Sequence, residues 1–252
     1  MKKALLILTA LCLLLPTTAM ADRIVLVADQ WCPYNCEPDE EEPGYMVEIT
    51  RTIFQPLGHQ VVYRNVEWVK AIEQTREGEY TGIIAAYKED APDFVFPENE
   101  LGISAQYFFV RKGDPWRWAG FPSLQGKKVG IIEAYSYGEK MDAHIAEHPE
   151  RFVVAGGDDP LGDLLERLMN GSVDSILEDP NVFMLKAMRF YLTDKVERAG
   201  QFGEAENAYI AFSPKLPESE EYARILSEGL DDLRESGELD AILADYGLKD
   251  WK

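Results

Sequence analysis

The sequence predicts an α/β protein made of two lobes. Strand, helix, strand, helix and strand follow one another over residues 23–86, and the same order returns over residues 129–177. The short links between these elements predict mainly parallel strands with helices on both faces of each sheet. We predict a first lobe from residues 22–110 and 208–252, and a second lobe from residues 111–207.

A cleavable signal peptide is predicted at residues 1–21. Lys2 and Lys3 form a positive start, residues 5–15 form an apolar run, and Ala19-Met20-Ala21 supplies small residues for cleavage. The apolar run is too short to span a membrane. We therefore expect an exported, periplasmic protein.

Eight runs of apolar and β-branched residues predict strands. A buried strand is predicted at residues 23–29, which read RIVLVAD. A long extended segment is predicted at residues 103–112, which read ISAQYFFVRK. We expect the chain to cross between the lobes near residues 109–112 and to return at 208–212. The predicted strands lie at 23–29, 61–65, 83–86, 103–112, 129–132, 152–155, 173–177 and 208–212.

Apolar residues at helical spacing predict the helices. The segment 45–57 ends at Gly58 and the segment 161–170 ends at Gly171, and glycine is a good stop signal. Ser136 is predicted to N-cap a helix over 139–147. Further helices are predicted to begin at Trp68 and to cover 182–191, 219–232 and, as a helix–turn–helix, 231–252.

The charge balance excludes most partners that carry negative charge. The chain has 25 basic and 45 acidic residues, a formal net charge of −20, and loss of Lys2 and Lys3 with the signal peptide makes it −22. This excess of negative charge disfavours nucleic acid and anionic membrane surfaces, and it favours solubility. It also leaves room for attraction of cationic ligands.

Cys32 and Cys36 are the two cysteines that follow the signal peptide, in the segment WCPYNC. Export permits a disulfide, and we expect a structural bridge between them. Redox and metal roles remain as alternatives. The spacing is CxxxC rather than the CxxC of redox sites, and no strand–helix signal surrounds it.

No metal or cofactor is expected. We interpret His59, His144 and His148 as scattered, without the spacing of a zinc site. The acidic run 37–42 is predicted to be a solvated loop, with a weak calcium site as the alternative. The sequence carries no nucleophile elbow, phosphate loop or paired Cys/His.

Six segments, in order, carry a resemblance to a known family. They are WCPY, PGYMVEI, EWVKAIEQTREGEYTGII, LQGKKVGIIEAYSYGE, LMNGSVDSILEDPNV and LRESGELDAILADYG. Over nearly all of the mature chain, the sequence resembles the family 3, polar-amino-acid-type solute-binding proteins of bacterial ABC importers. The resemblance implies the type II periplasmic binding protein fold, in which two lobes joined by a two-strand hinge close over a small solute. It also implies a monomer that meets an ABC permease in the inner membrane.

The resemblance also implies a ligand shell. Trp31 or Tyr34 lies near the ligand, Trp68 stacks on it, and Asp179 pairs with its amine. The loop Ala134-Tyr135-Ser136 offers backbone N–H groups at a helix start. The implied ligand residues are Trp31, Tyr34, Trp68, Ala85, Ala86, Tyr87, Lys88, Tyr135, Ser136 and Asp179. Core packing of the aromatic residues and a helix cap or turn at Asp179 are the structural alternatives.

One departure from the family pattern concerns the ligand. Relatives that bind amino acids hold the α-carboxylate with an arginine just after the third strand, and residues 88–93 here read KEDAPD. Lys88 supplies charge without the forked geometry of arginine, and alanines 85 and 86 replace hydroxyl residues. We therefore do not expect a standard α-amino acid. Aromatic faces and acids suit a cation, or a flat or sugar-like neutral solute.

Three classes of function are compatible with this scaffold. We expect a non-enzymatic binding protein for a small polar or cationic solute. A dehydratase-like enzyme, with acid–base work by Glu133, Glu178 and Asp179, is the first alternative. Such an enzyme needs cationic anchors for an anionic substrate, and the sequence shows few. A periplasmic sensor or accessory subunit is the second alternative, and it needs a membrane-bound partner.

Overall fold

The computed structural model describes residues 22–133, 135–157 and 159–252. The predicted signal peptide and Ala134 of the predicted ligand loop lie outside these ranges. The strands are β1 (Arg23–Ala28), β2 (Gln60–Asn65), β3 (Gly82–Ala86), β4 (Gly102–Arg111), β5 (Val129–Ile132), β6 (Phe152–Ala155), β7 (Ser175–Glu178) and β8 (Val196–Phe212). The α-helices are α1 (Tyr45–Phe54), α2 (Trp68–Arg76), α3 (Glu139–Glu147), α4 (Pro160–Asn170), α5 (Pro180–Arg189), α6 (Ser219–Ser236) and α7 (Glu238–Asp245).

The strands join in the order β2-β1-β3-β8-β4-β7-β5-β6. At one end, β1 pairs in parallel with β2 and β3. At the other end, β5 pairs in parallel with β6 and β7. We call the half built on β1–β3 the first lobe and the half built on β5–β7 the second lobe. The two-lobed α/β architecture predicted from the sequence is therefore confirmed.

Two long antiparallel strands, β4 and β8, connect the lobes. They pair from Gly102↔Ala208 to Arg111↔Val196, with register shifts between Ser104 and Gln106 and between Phe108 and Phe109. The end of β8 also pairs with β3 in the first lobe, while β4 pairs with β7 in the second. These two strands form the expected hinge. The predicted lobe boundaries near residues 110 and 208 stay predictions.

Strand β8 is much longer than the sequence indicates. Only residues 208–212 are predicted as a strand, whereas the structure extends it back to Val196. The added segment, VERAGQFGEAEN, is polar and mostly exposed, so it lacks the apolar alternation by which strands are recognised. Its pairing is supplied by the more apolar β4.

Helices pack on the sheet through the apolar faces that the sequence predicts. Helix α4 buries Leu164, Leu165 and Leu168 against the second lobe and ends at Gly171, which adopts a left-handed conformation. Helix α1 packs against α6 and α7 in the first lobe. Within the described ranges, no helix combines the length and the apolar character that a membrane span requires.

The predicted cap of α3 is wrong. Gly138, not Ser136, occupies the N-cap position and makes no side-chain cap bond. The Ser136 hydroxyl lies 2.7 Å from Asp142 Oδ2 and donates to it. Asp142 Oδ1 accepts the backbone N–H of Tyr137 at 2.8 Å. A carboxylate within the helix therefore holds the preceding loop in place.

Candidate functional site

A cleft lies between the lobes, where the carboxyl ends of β1, β3 and β7 meet. This is the edge of an α/β sheet at which ligands bind. The empty space in the cleft is about 470 Å³, including space open to solvent. Its lining residues are Asp29, Trp31, Asn35, Trp68, Ile84, Ala85, Tyr87, Asp90, Gln106, Tyr135, Ser136 and Glu178.

The aromatic loop after β1 forms one wall of the cleft. A disulfide between Cys32 and Cys36 closes this loop, as predicted. Trp31 stacks on Tyr34 with ring centroids 4.1 Å apart and meets Tyr87 edge-on at 6.5 Å. Tyr34 is fully buried beneath Trp31. The loop therefore holds the indole at the cleft in a fixed orientation.

Glu178, the last residue of β7, brings a buried carboxyl group to the cleft and is 1% exposed. Its Oε1 accepts the Trp31 indole N–H at 3.3 Å and the backbone N–H of Asp179 at 2.7 Å. Its Oε2 is buried and has no hydrogen-bond partner among residues 22–133, 135–157 and 159–252. Buried polar atoms are nearly always paired, so this oxygen beside the cleft is a candidate contact for a ligand group.

Burial is the main cause that raises the pKa of Glu178 to about 8. The negative charges of Asp179 and Asp29 raise it further, while the hydrogen bonds from Trp31 and from the Asp179 backbone lower it. Glu178 is therefore mostly protonated at neutral pH when the cleft holds no cation.

Two further acids line the cleft. Burial raises the pKa of Asp29 to about 6, and the nearby Tyr135 hydroxyl offsets part of that effect. Burial also raises the pKa of Asp90 to about 6, against a backbone hydrogen bond from Tyr87. Among the described residues that line this space, none is lysine, arginine or histidine, and its aromatic faces and acids stand beside the neutral side chains of Asn35, Gln106 and Ser136. An adjoining space shares Asp29, Trp31 and Tyr135 and also contains Lys186 and Arg189.

Asp179 fixes the junction between the lobes. Its Oδ1 accepts the N–H groups of Asn181 and Val182 at 2.8 and 3.2 Å and so N-caps α5. Its Oδ2 accepts the hydroxyls of Tyr34 at 3.0 Å and Ser104 at 2.9 Å. These partners surround the carboxylate, which does not line the cleft.

The family of the chain follows from its sequence. Residues 24–249 match the family of bacterial extracellular solute-binding proteins, family 3. The chain belongs to this family. A search of curated protein sequences finds no match.

Three solved structures resemble this family 3 protein in fold. A histidine kinase sensor domain with similarity to periplasmic binding proteins has 24% identity and a TM-score of 0.73, with 90% of this chain and 98% of that chain covered. A protein of glutathione import via GshT and the cystine ABC importer TcyBC of Streptococcus mutans has 15% identity, a TM-score of 0.75 and coverage of 91% and 97%. The amino acid ABC transporter substrate-binding protein AbpA of Streptococcus pneumoniae, bound to L-arginine, has 17% identity, a TM-score of 0.67 and coverage of 90% and 94%.

Six of the ten ligand residues predicted for this family 3 protein line the cleft. They are Trp31, Trp68, Ala85, Tyr87, Tyr135 and Ser136. Ala85 has a left-handed φ of 62° and no register partner on β8, because β3 has an irregularity there. This irregularity turns Ala85 toward the cleft.

The other four predicted residues lie behind or outside the cleft. Tyr34 and Asp179 lie in the layer beneath it, and Ala86 is buried in the core. Lys88 is exposed, and its ammonium lies 5.0 Å from the ring centre of Tyr209. Their roles toward a ligand stay predictions.

The sequence analysis missed Asp29 as a residue that lines the cleft and treated Glu178 only as an alternative acid. The signal for both is their position. Each stands at the carboxyl end of a buried parallel strand, β1 or β7, where side chains reach the ligand-binding edge.

Proposed function

We propose that the protein captures a small organic cation between its lobes and delivers it to an ABC-type permease in the inner membrane. The observation that carries this proposal is the buried Oε2 of Glu178, which has no partner among the described residues and lies beside a space whose described lining contains no basic side chain. A ligand N–H⁺ group would donate a hydrogen bond to this oxygen and balance its charge, whereas a quaternary ammonium would balance the charge alone. Membership of the solute-binding family supports capture without chemistry.

Aromatic faces supply the second half of the recognition. Trp31, Trp68, Tyr87 and Tyr135 all line the cleft. A cation over such a ring gains roughly 0.5–2 kcal/mol, more when water is excluded. An ion pair with Glu178 must repay the cost of desolvating both charges, and the surrounding rings help because they attract the cation without a charge of their own.

The same geometry disfavours an ordinary α-amino acid. Its carboxylate needs a cationic or N–H-rich anchor, and the KEDAPD loop offers Asp90 to the cleft instead. The nearest basic residue of that loop, Lys88, is exposed and lies by Tyr209. Without a bidentate anchor we expect affinity for α-amino acids to be lower by about three powers of ten than in relatives that have one.

Calorimetry against a panel of solutes tests this proposal. The panel contains quaternary ammonium compounds, primary di- and polyamines, guanidinium compounds, standard amino acids and neutral sugars. We expect the compounds of one cationic class to bind with a stoichiometry of one solute per chain and to raise the melting temperature of the protein by mass action. Binding of sugars or of amino acids alone would contradict the choice of a cation.

Matched variants identify the residues that bind. Glu178→Gln keeps the shape of the side chain and removes its charge, and Trp68→Ala removes a ring. We expect each to weaken cation binding at least tenfold, roughly 1.4 kcal/mol. Glu166→Gln, on an exposed position of α4, is the control and should leave affinity unchanged. Loss of labelled-solute uptake on deletion of the gene, restored by the wild-type chain, distinguishes import from sensing.

A dehydratase-like activity is the second candidate, and one observation favours it. With a pKa of about 8, Glu178 is protonated at neutral pH and could donate a proton to a leaving hydroxyl group. The cleft, however, lacks an anchor for a carboxylate substrate. Recovery of the bound solute, chemically unchanged after prolonged incubation, would exclude this activity for that solute.

A further inference from the structure

Two histidines and a glutamate lie together at the C-terminal end of α3, on the second lobe. They are His144, Glu147 and His148. The sequence interpretation of scattered histidines is wrong for two of the three, because residues three and four apart share one face of a helix. His59, which lies by Asp22 in the first lobe, remains apart.

The three side chains already lie near one another. Each offers one ligand atom, and these atoms all lie within 4.8 Å of one another. In a tetrahedral zinc site with bonds of about 2.0–2.1 Å, ligand atoms are about 3.3 Å apart. The side chains therefore have to close by up to about 1.5 Å. Glu147 is exposed, so a change of rotamer suffices.

His144 supplies the second, independent observation. It is 8% exposed, and its Nε2 is buried without a hydrogen-bond partner in the part of the chain that the structure describes. Phe121 packs against its imidazole at 4.4 Å and Phe152 at 6.1 Å, and the His148 ring lies at 4.6 Å. Packing therefore fixes the ring of His144 within the group, and its buried Nε2 is a polar atom that the described residues leave unpaired.

Charged neighbours complete the surroundings. Glu150 Oε1 lies 3.8 Å from His148 Nδ1 and 3.5 Å from Arg151 Nε. A small movement of the exposed Glu150 side chain would let it accept from Nδ1 and orient the His148 ring, which leaves Nε2 for a metal. The Arg151 charge is already paired with Glu150, so it opposes a metal ion less than a free cation would.

We propose that His144, Glu147 and His148 form a binding site for a divalent transition-metal ion of the zinc class. Two imidazoles and one carboxylate are a ligand set that zinc accepts, with water in the fourth position. The site lies on the second lobe, at the opposite end of α3 from the Ser136 loop that borders the cleft. Its metal would hold the last turn of α3 to His148, the residue that precedes the 3-10 turn Pro149–Arg151.

Titration of the metal-free mature protein with zinc tests this site. We expect one zinc ion per chain and a rise in melting temperature of about 5 °C or more at a hundredfold excess over Kd. Magnesium, which prefers oxygen ligands, should have no effect, and EDTA should reverse the effect of zinc. Cobalt(II) should give the absorption bands of a tetrahedral site. Absence of zinc binding would overturn the proposal.

Variants separate this site from the cleft. His148→Ala and Glu147→Gln change accessible side chains, so the fold should survive, and each should weaken zinc binding at least tenfold. His59→Gln and Glu178→Gln are the controls and should bind zinc as the wild type does. Equal losses in Glu178→Gln would place the metal in the cleft and contradict the proposal. His148→Ala should leave binding of the organic cation unchanged.

Discussion

Cation affinity should fall at least tenfold as the pH is lowered from about 8 to about 6, and Glu178→Gln should lose most of this dependence. A bound cation favours the ionised form of Glu178, whose pKa is raised to about 8 in the empty cleft. Binding near neutral pH therefore releases a proton. Below pH 6, Asp29, with its pKa of about 6, also becomes protonated and affinity falls further.

Calorimetry in buffers of different ionisation enthalpy measures the released proton directly. We expect a value approaching one proton per solute at pH 7 in the wild type and near zero in Glu178→Gln. The exposed-site control Glu166→Gln should match the wild type. An affinity that is constant between pH 6 and pH 8 would show that Glu178 does not bear the charge that the solute meets.

Glu178 also makes the stability of the unliganded protein depend on pH, in the opposite direction to the cation affinity. The affinity rises with pH, whereas the stability falls. The pKa of Glu178 in the folded state, about 8, lies above its usual value of 4.5. Protonated Glu178 therefore favours the folded state. This stabilising contribution is fully present below pH 4.5 and is lost as the pH rises toward 8. We expect the unliganded protein to lose a few kcal/mol from this group over that range, at about 1.4 kcal/mol per pKa unit. Glu178→Gln should be more stable than the wild type at pH 8.

Asp179→Ala should lower the free energy of unfolding by about 2–4 kcal/mol, the sum of a lost helix cap and one unpaired buried donor. The substitution removes the N-cap of α5 and leaves the buried hydroxyl of Ser104 without its acceptor, whereas the Tyr34 hydroxyl can still donate to the Ile103 carbonyl at 3.0 Å. An N-cap alone contributes about 1 kcal/mol. The remainder comes from the unpaired Ser104 donor, at about 1–3 kcal/mol.

Asp159 provides a matched control for this prediction. It N-caps α4 by accepting the Gly162 N–H at 3.0 Å, and it also precedes a proline, but its side chain is exposed. We expect Asp159→Ala to cost about 1 kcal/mol in urea denaturation. Equal losses in the two variants would mean that the contacts of Asp179 with the first lobe contribute nothing to stability.

The sequence predicts most of the fold because the spacing of its apolar residues indicates which faces of the helices and strands are buried. The hinge is the main gap: the part of β8 before residue 208 is polar, and its pairing with β4 depends on a partner almost a hundred residues away. Local patterns do not record such pairings. At the end of β7, the side chains of two neighbouring acids point in different directions. Glu178 reaches the cleft, and Asp179 caps α5.

Some of the missed features did have signals in the sequence. Asp179 before Pro180 repeats the pattern of Asp159 before Pro160, and both pairs open a helix. The helix cap that the sequence analysis names as the alternative role of Asp179 is present, while the helix predicted to start at residue 182 starts at Pro180. The spacing of His144 and His148 likewise needed only the predicted helix over 139–147 to place both rings on one face.

Opening of the lobes has a mechanical consequence set by β4 and β8. Because these strands stay hydrogen-bonded from one lobe to the other, the lobes cannot swing about a single bond. The movement has to spread as twist along a two-stranded ribbon, and the register shifts beside Ser104 and Phe108 are its most compliant points. The two strands then resist opening because they have to twist. The stiffer they are against twisting, the longer we expect a captured solute to be retained.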